Sequence, residues 1–331
     1  MKQTNSLRQK SKYLISLFIP ISFLDRLRNF LSLRQIIFFD RNLRNKVLKL
    51  KNESQGSIRN NLDLLKKLNS EFKTINLKNN YNFDNLILSS KQRFNYLKSK
   101  GINFKGKKIA DFGAGHGENL FLCKELEFEE AVALDFSDKD FIPHKEDLSE
   151  VVFNFIDFRT LDLVNDDLKI SDFDLITSFS AFEHFHDPKE VLKKCHKSLK
   201  KGGYLYAEFA AFNSPYATHR KIYSGVPHIQ NIFEDKVAFE FFYDYLKINE
   251  KRNRYTNELI TDGNPYPEVN RLVIEDYEEI FLDKKNWEVI EYTKVYNYQY
   301  HWLIKCFEES FAGKNHDYKY VDYLKFLIIK K

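Results

Sequence analysis

The sequence predicts an α/β fold, a doubly wound and mostly parallel sheet, on three observations. First, Lys107 to Leu120 reads as a buried strand (Ile109 to Phe112), a glycine-rich turn (Gly113, Gly115, Gly117) and a helix start running through Phe121, Leu122 and Leu126. Second, strand and helix signals alternate from there on, the pattern of a parallel sheet. Third, the next strand, Ala131 to Phe136, carries Asp135 about 20 residues beyond the turn, where an acid can accept two ribose hydroxyls.

Composition bounds the rest. The 331 residues are 43% hydrophobic and 16% aromatic, ample for a core. The net charge is +5, but residues 1–50 hold eleven Lys/Arg against Asp25 and Asp40, so the arm is basic and the body slightly acidic. Cys123, Cys195 and Cys306 are widely spaced and form no Cys-x-x-Cys. That disfavours a disulfide framework or zinc site and suits a reducing, cytoplasmic setting. We expect a basic helical N-terminal region over 1–80, a main domain over 81–331, and an insert at about 211–285.

In the arm, the apolar run Tyr13 to Leu24 is broken by Pro20. It falls short of the ~20 residues that span a bilayer, and no small-residue cleavage site follows. Two or three basic amphipathic helices are expected. They suit either a helical appendage or dimer contact, or peripheral docking at an anionic membrane surface. A further helix is read at 58–73, a loop over Asn76 to Asn85, and a helix Leu86 to Lys100 ending at Gly101. Beyond the turn the expected strands are Val151 to Ile156, Phe173 to Phe179 and Tyr204 to Phe209. A helix over Glu190 to Leu199 separates the last two. The insert holds a helix from Glu234 to Leu246, a loop from Lys247 to Asn270 and a helix from Ile274. Trp287 to Tyr296 and Tyr323 to Ile329 complete seven strands, with a helix around His301 to Phe311 between them.

The turn is Gly-x-Gly-x-Gly, not the dinucleotide Gly-x-Gly-x-x-Gly or a P-loop. Asp111 stands two residues before it, where a carboxylate would repel a pyrophosphate and suit an ammonium. The pattern resembles motif I of the class I S-adenosylmethionine (SAM) dependent methyltransferases. The run Phe173-Asp-Leu-Ile, Glu183-His184, Asp187-Pro188 and Gly202-Gly203 is similar to the type 11 small-molecule group. The resemblance covers roughly residues 90–210. His116 departs from the usual Thr or Ser, and Gly113-Ala114-Gly115 from Gly-Cys-Gly.

That resemblance implies SAM as cofactor. Asp111 would face its amino-acid end, and Gly113, Ala114, Gly115 and Gly117 would pass beneath the nucleoside. Asp135, with Phe136 beside it, would take the ribose. Asp157, closing the third strand, would accept from the adenine amino group, with Phe158 over the ring. Ser178 at the end of the fourth strand completes the set. The insert would cover the carboxyl ends of the strands as a substrate lid.

Methyl transfer from a sulfonium needs a placed acceptor and sometimes a base. His184 is the expected pocket residue, with His219 and His228 as base candidates from the lid, since histidine titrates near neutrality. The adjacent ligand types His184-x-His186-Asp187 match no recognised metal spacing, and no metal is expected. The expected acceptor is an oxygen, or a nitrogen, of a small molecule, sugar or lipid-linked compound. Alternatives are an RNA or protein acceptor docked by the basic arm, or a non-catalytic SAM-binding protein. Nucleic acid is disfavoured: Ser180-Ala-Phe-Glu-His replaces the Asn/Asp-Pro-Pro-Tyr expected of an adenine methyltransferase.

Overall fold

A computed structural model of the chain describes residues 41–72, 83–221, 223–248, 263–313, 315 and 317–331. Most of the basic arm, the Tyr13 to Leu24 run, most of the Asn76 to Asn85 loop and part of the 247–270 loop lie outside the described residues.

Seven strands form one sheet: β1 Lys108–Phe112, β2 Glu130–Asp135, β3 Ile156–Thr160, β4 Phe173–Phe179, β5 Leu199–Phe209, β6 Trp287–Tyr296 and β7 Val321–Lys330. Their order is β3-β2-β1-β4-β5-β7-β6. The first five run parallel, and β7 is antiparallel to both β5 and β6. The order reverses between β1 and β4, where open α/β sheets leave a crevice outside the strand ends.

Nine α-helices are described: α1 Arg41–Glu53, α2 Leu62–Glu71, α3 Phe83–Ser99, α4 Glu150–Phe155, α5 Pro188–Ser198, α6 Ile229–Ile232, α7 Asp235–Ile248, α8 Ile274–Phe281 and α9 His301–Cys306. Successive strand residues face opposite sides of a sheet, and two cores follow. Ala110, Val132, Leu134 and Ile176 meet α5 and α8 through Val191, Cys195, Tyr277 and Phe281. Ile109, Ala131, Ala133 and Leu175 meet α3 through Phe94, Tyr96 and Leu97. A third core joins α1 and α2 to α6, α7 and α9. The described part of the N-terminal region is therefore one helical layer with the insert and the β6–β7 connection. Among the described residues no helix is long and apolar enough to cross a membrane.

Two local expectations are corrected. The helix expected after the glycine turn is a run of turns over 118–127, closed mostly by i to i−3 bonds such as Cys123 N–H to the Leu120 carbonyl (3.0 Å). Its residues Asn119 to Cys123 are all buried, in succession, which one face of an α-helix cannot do. The expected strand Val151 to Ile156 is instead α4 for most of its length, started by Ser149, whose side chain accepts from the Val152 N–H. Val151 is 65% exposed. The apolar run reads as a strand, but the N-cap turns it into a helix, and β3 begins only at Ile156.

Candidate active site

The crevice is built on the carboxyl ends of β1, β2 and β4. Backbone bonds set the glycine turn: Gly113 and Ala114 N–H both donate to the Leu134 carbonyl (2.8 and 3.0 Å). Gly115 N–H donates to Asp135 Oδ2 at 2.8 Å. Gly113 has φ +75°, and a Cβ there would lie 2.4 Å from the Cβ of Ala181, so the post-β4 turn is pressed against it. Gly115 has φ +51° and nothing within 4 Å of its Cβ position. The turn is thus closed on the β4 side and open at Gly115, a cradle for a ligand lying along the backbone.

Asp135 also accepts from Ser137 N–H at 3.2 Å. Burial raises its pKa, against the pull of the N–H groups of Gly115, Ser137 and Phe136. Phe136 beside it is 42% exposed, a phenyl face at the crevice rim. Asp111 is fully buried. Its oxygens accept from Thr177 Oγ1 (2.7 Å) and Asn119 Nδ2 (2.9 Å). In the structure it therefore anchors the turn rather than presenting a carboxylate to the crevice. Ser178, likewise buried, donates to the Phe112 carbonyl at 2.7 Å and ties β4 to β1.

Burial pushes Asp111 up to about 7, against the donors Asn119 and Thr177. The unfolded carboxyl releases its proton near its ordinary value, while the folded one keeps it to about 7. The native protein should therefore lose stability as pH rises from about 4 to 7, then level off. The melting temperature of Asp111→Asn minus that of the native chain should become more positive between pH 5 and pH 8. The ceiling is ~4 kcal/mol. Thermal melts at both pH values check this, and a gap independent of pH would show the carboxylate ionised throughout.

Asp157 does not stand at the strand end. It lies level with Val132, while Thr160 is level with Asp135, about 10 Å further along at ~3.3 Å per residue. Its carboxylate pairs with Arg159 on the exposed edge (2.9 and 2.7 Å). Phe158 stacks on Phe141 at 4.8 Å. Both line a cavity of about 470 Å³ with Ile142, Phe153 and Thr160. The correction follows from the late start of β3: the acid beyond its end is Asp162, next to Leu161, whose N–H donates to the Asp135 carbonyl (2.8 Å).

Arg93 of α3 was not legible in the sequence, since one basic residue on an amphipathic helix carries no signal. Its Nη1 donates to Asn119 Oδ1 at 2.6 Å, and its guanidinium lies 3.9 Å from the Phe179 ring centre. Arg93, Asn119 and Asp111 thus form a hydrogen-bonded chain from α3 into the sheet.

On the other side of the turn, Glu183 and His184 meet the cap. Glu183 is buried, and burial pushes its carboxyl up to about 8 against the N–H groups of Glu183 and Ala210. His219 Nε2 approaches its Oε1 at 3.7 Å, and the His184 and His219 rings stand edge to face at 4.5 Å. His184 Nδ1 bonds the Glu268 carbonyl at 2.5 Å. The buried Arg220 holds the Glu268 carboxylate at 2.6 Å. Asn270 closes the junction, its N–H on the Glu183 carbonyl and its Nδ2 on the Phe182 and Phe185 carbonyls, each at 2.8 Å. The expected pair His184 and His219 is brought together. His228 is not with it: wholly buried, it lies beside Asn231 (3.2 Å) and against Phe311. The insert folds back onto the helical layer there, so His228 packs the cap rather than facing an acceptor. His186 is exposed, and Asp187 serves as the N-cap of α5, accepting from Glu190 N–H at 3.0 Å.

Residues 110–205 match a family model described as a methyltransferase domain. The chain is 32% identical over 140 residues to a tRNA U34 carboxymethyltransferase of Campylobacter fetus, covering 39% of this chain and 48% of that protein. It is 25% identical over 134 residues to a ubiquinone biosynthesis O-methyltransferase of Haemophilus ducreyi, covering 38% and 55%. The chain thus spans about half the length of the curated relatives it matches. A solved structure described as a putative S-adenosylmethionine dependent methyltransferase from Listeria monocytogenes aligns at 12% identity and a TM-score of 0.43, covering 73% of this chain and 99% of that one.

Proposed function

We propose, on the premise that residues 110–205 form a class I S-adenosylmethionine-dependent methyltransferase domain, that the chain methylates an oxygen of a small-molecule or lipid-linked acceptor held beneath the cap. The observation that carries this is the contact of Gly113 with Ala181. It puts the cofactor turn two residues from Glu183, at the junction where His184 and His219 meet. The cofactor fits: Gly115 is open, Asp135 is placed for ribose hydroxyls, and Arg93 offers a guanidinium for the carboxylate of the methionine moiety. When bound, SAM supplies a methyl already activated by its sulfonium.

The chain's own residues do the rest. The cap excludes water. Glu183, His184 and His219 would stand beside the acceptor hydroxyl and take up the proton it releases.

A nucleic-acid acceptor is the second reading, favoured by the relative named for tRNA. Radiolabelled SAM, offered with phenolic and catecholic compounds and separately with total RNA, tests both. We expect label in the organic extract. Label in RNA alone would replace the small-molecule reading, and no transfer with retained SAM binding would point to a non-catalytic binding protein.

A further inference from the structure

We infer that Glu183, His184 and His219 form a binding site for one divalent transition-metal ion, closed by a ligand from the cap. This deepens the proposed function and rests on it for the placing of the acceptor. Each of the three offers one ligand atom, and these atoms lie within 4.8 Å of one another. Around a tetrahedral zinc ion, ligand atoms stand roughly 3.3 Å apart. The Glu183–His219 approach of 3.7 Å is already close to that. His219 is exposed on a loop.

Three features point to a cation rather than to a packed histidine pair. A carbonyl can only accept, so the bond to the Glu268 carbonyl puts the proton of His184 on Nδ1 and the lone pair on Nε2. That is how metal-ligating histidines are oriented, the second nitrogen donating to a fixed acceptor. Here the acceptor's own residue is held by the buried Arg220. Next, Glu183 Oε2 is buried with no hydrogen-bond partner among the described residues, which is costly unless a proton or a cation occupies it. Finally, His219 holds a left-handed backbone, φ +55°, a strained conformation for a histidine of the kind that clusters at functional sites.

Two imidazoles and one carboxylate suit zinc or manganese-class ions and leave coordination positions open. An acceptor oxygen entering from the glycine-turn side would fill one of them. The resulting preference is for acceptors with two neighbouring oxygens, which chelate. The sequence spacing does not show this site, because the third ligand comes from 35 residues downstream and only the cap brings it in.

The test is calorimetric titration of the chelator-treated full chain with Zn²⁺ alone and with Mn²⁺ alone. One ion per chain is expected. Glu183→Gln keeps the side-chain shape, and His219→Gly suits the positive φ. Each should weaken binding at least 30-fold while S-adenosylhomocysteine binding stays within about threefold. No uptake by the native chain, or affinity unchanged in both variants, overturns the site. If Glu183→Gln melts early, His219→Gly decides alone. Failure here leaves the methyltransferase reading standing, since S-adenosylhomocysteine binding is measured in the same samples without metal.

Discussion

Asp135→Ala should bind S-adenosylhomocysteine about 100-fold more weakly than the native chain while remaining folded. Its carboxylate does two jobs. It fixes Gly115 N–H at 2.8 Å and Ser137 N–H at 3.2 Å, so it sets the shape of the open part of the turn. It also stands at the end of β2, where the hydroxyls of a ribose would reach it. A hydrogen bond to a charged group contributes ~1.5–3 kcal/mol. Losing about two of them removes ~3 kcal/mol, or roughly two decades in the dissociation constant. Asp135→Asn should fall in between, because it keeps one acceptor oxygen and loses the charge. Calorimetry on the three proteins decides the matter. Unchanged affinity in Asp135→Ala would place the nucleoside away from this strand end.

Gly113→Ala should cost about 2–4 kcal/mol of stability. A Cβ there sits 2.4 Å from the Cβ of Ala181 and 3.3 Å from the Phe185 ring, on a backbone at φ +75°. Left-handed strain alone costs an alanine ~1 kcal/mol, and forcing atoms into a packed contact adds ~1–3 kcal/mol. For a chain of 331 residues the melting temperature should fall roughly 3–6 °C. Gly115→Ala is the control. It carries comparable backbone strain but meets nothing within 4 Å, so it should melt within a few degrees of the native chain. Its methyl group would instead project into the cradle and weaken cofactor binding. Equal melting temperatures for the two variants would mean that the post-β4 turn is not pressed against Gly113, and the proposed acceptor site at that junction would lose its support.

Local pattern is a good guide wherever neighbours in sequence settle the structure. β1, β2, β4 and β6 lie where alternating or continuous apolar residues put them. Asp187-Pro188 starts α5 as an N-cap and first-turn proline should. The same reasoning misplaced β3, because Val151 to Phe155 is apolar enough for a strand while Ser149 caps it as a helix. It also made a helix of Leu120 to Leu126, a segment buried on too many sides to need one.

The sequence by itself determined most of the sheet, the glycine turn and the acid at the end of β2, because each is a matter of spacing along the chain. Tertiary structure alone decided which polar groups reach the crevice. Asp111 and Ser178 look like ligands from their positions, yet Thr177, Asn119 and the Phe112 carbonyl enclose them. Arg93 comes from another helix and is tied to the turn segment through its bond to Asn119. Glu183 and His184 meet His219 because Asn270 and Glu268 pin the cap to the turn after β4, while His228, only nine residues further on, is drawn into the helical core. Periodicity constrains which face a residue shows. It does not say which distant residue will stand opposite, and at this site the chemistry depends on that pairing.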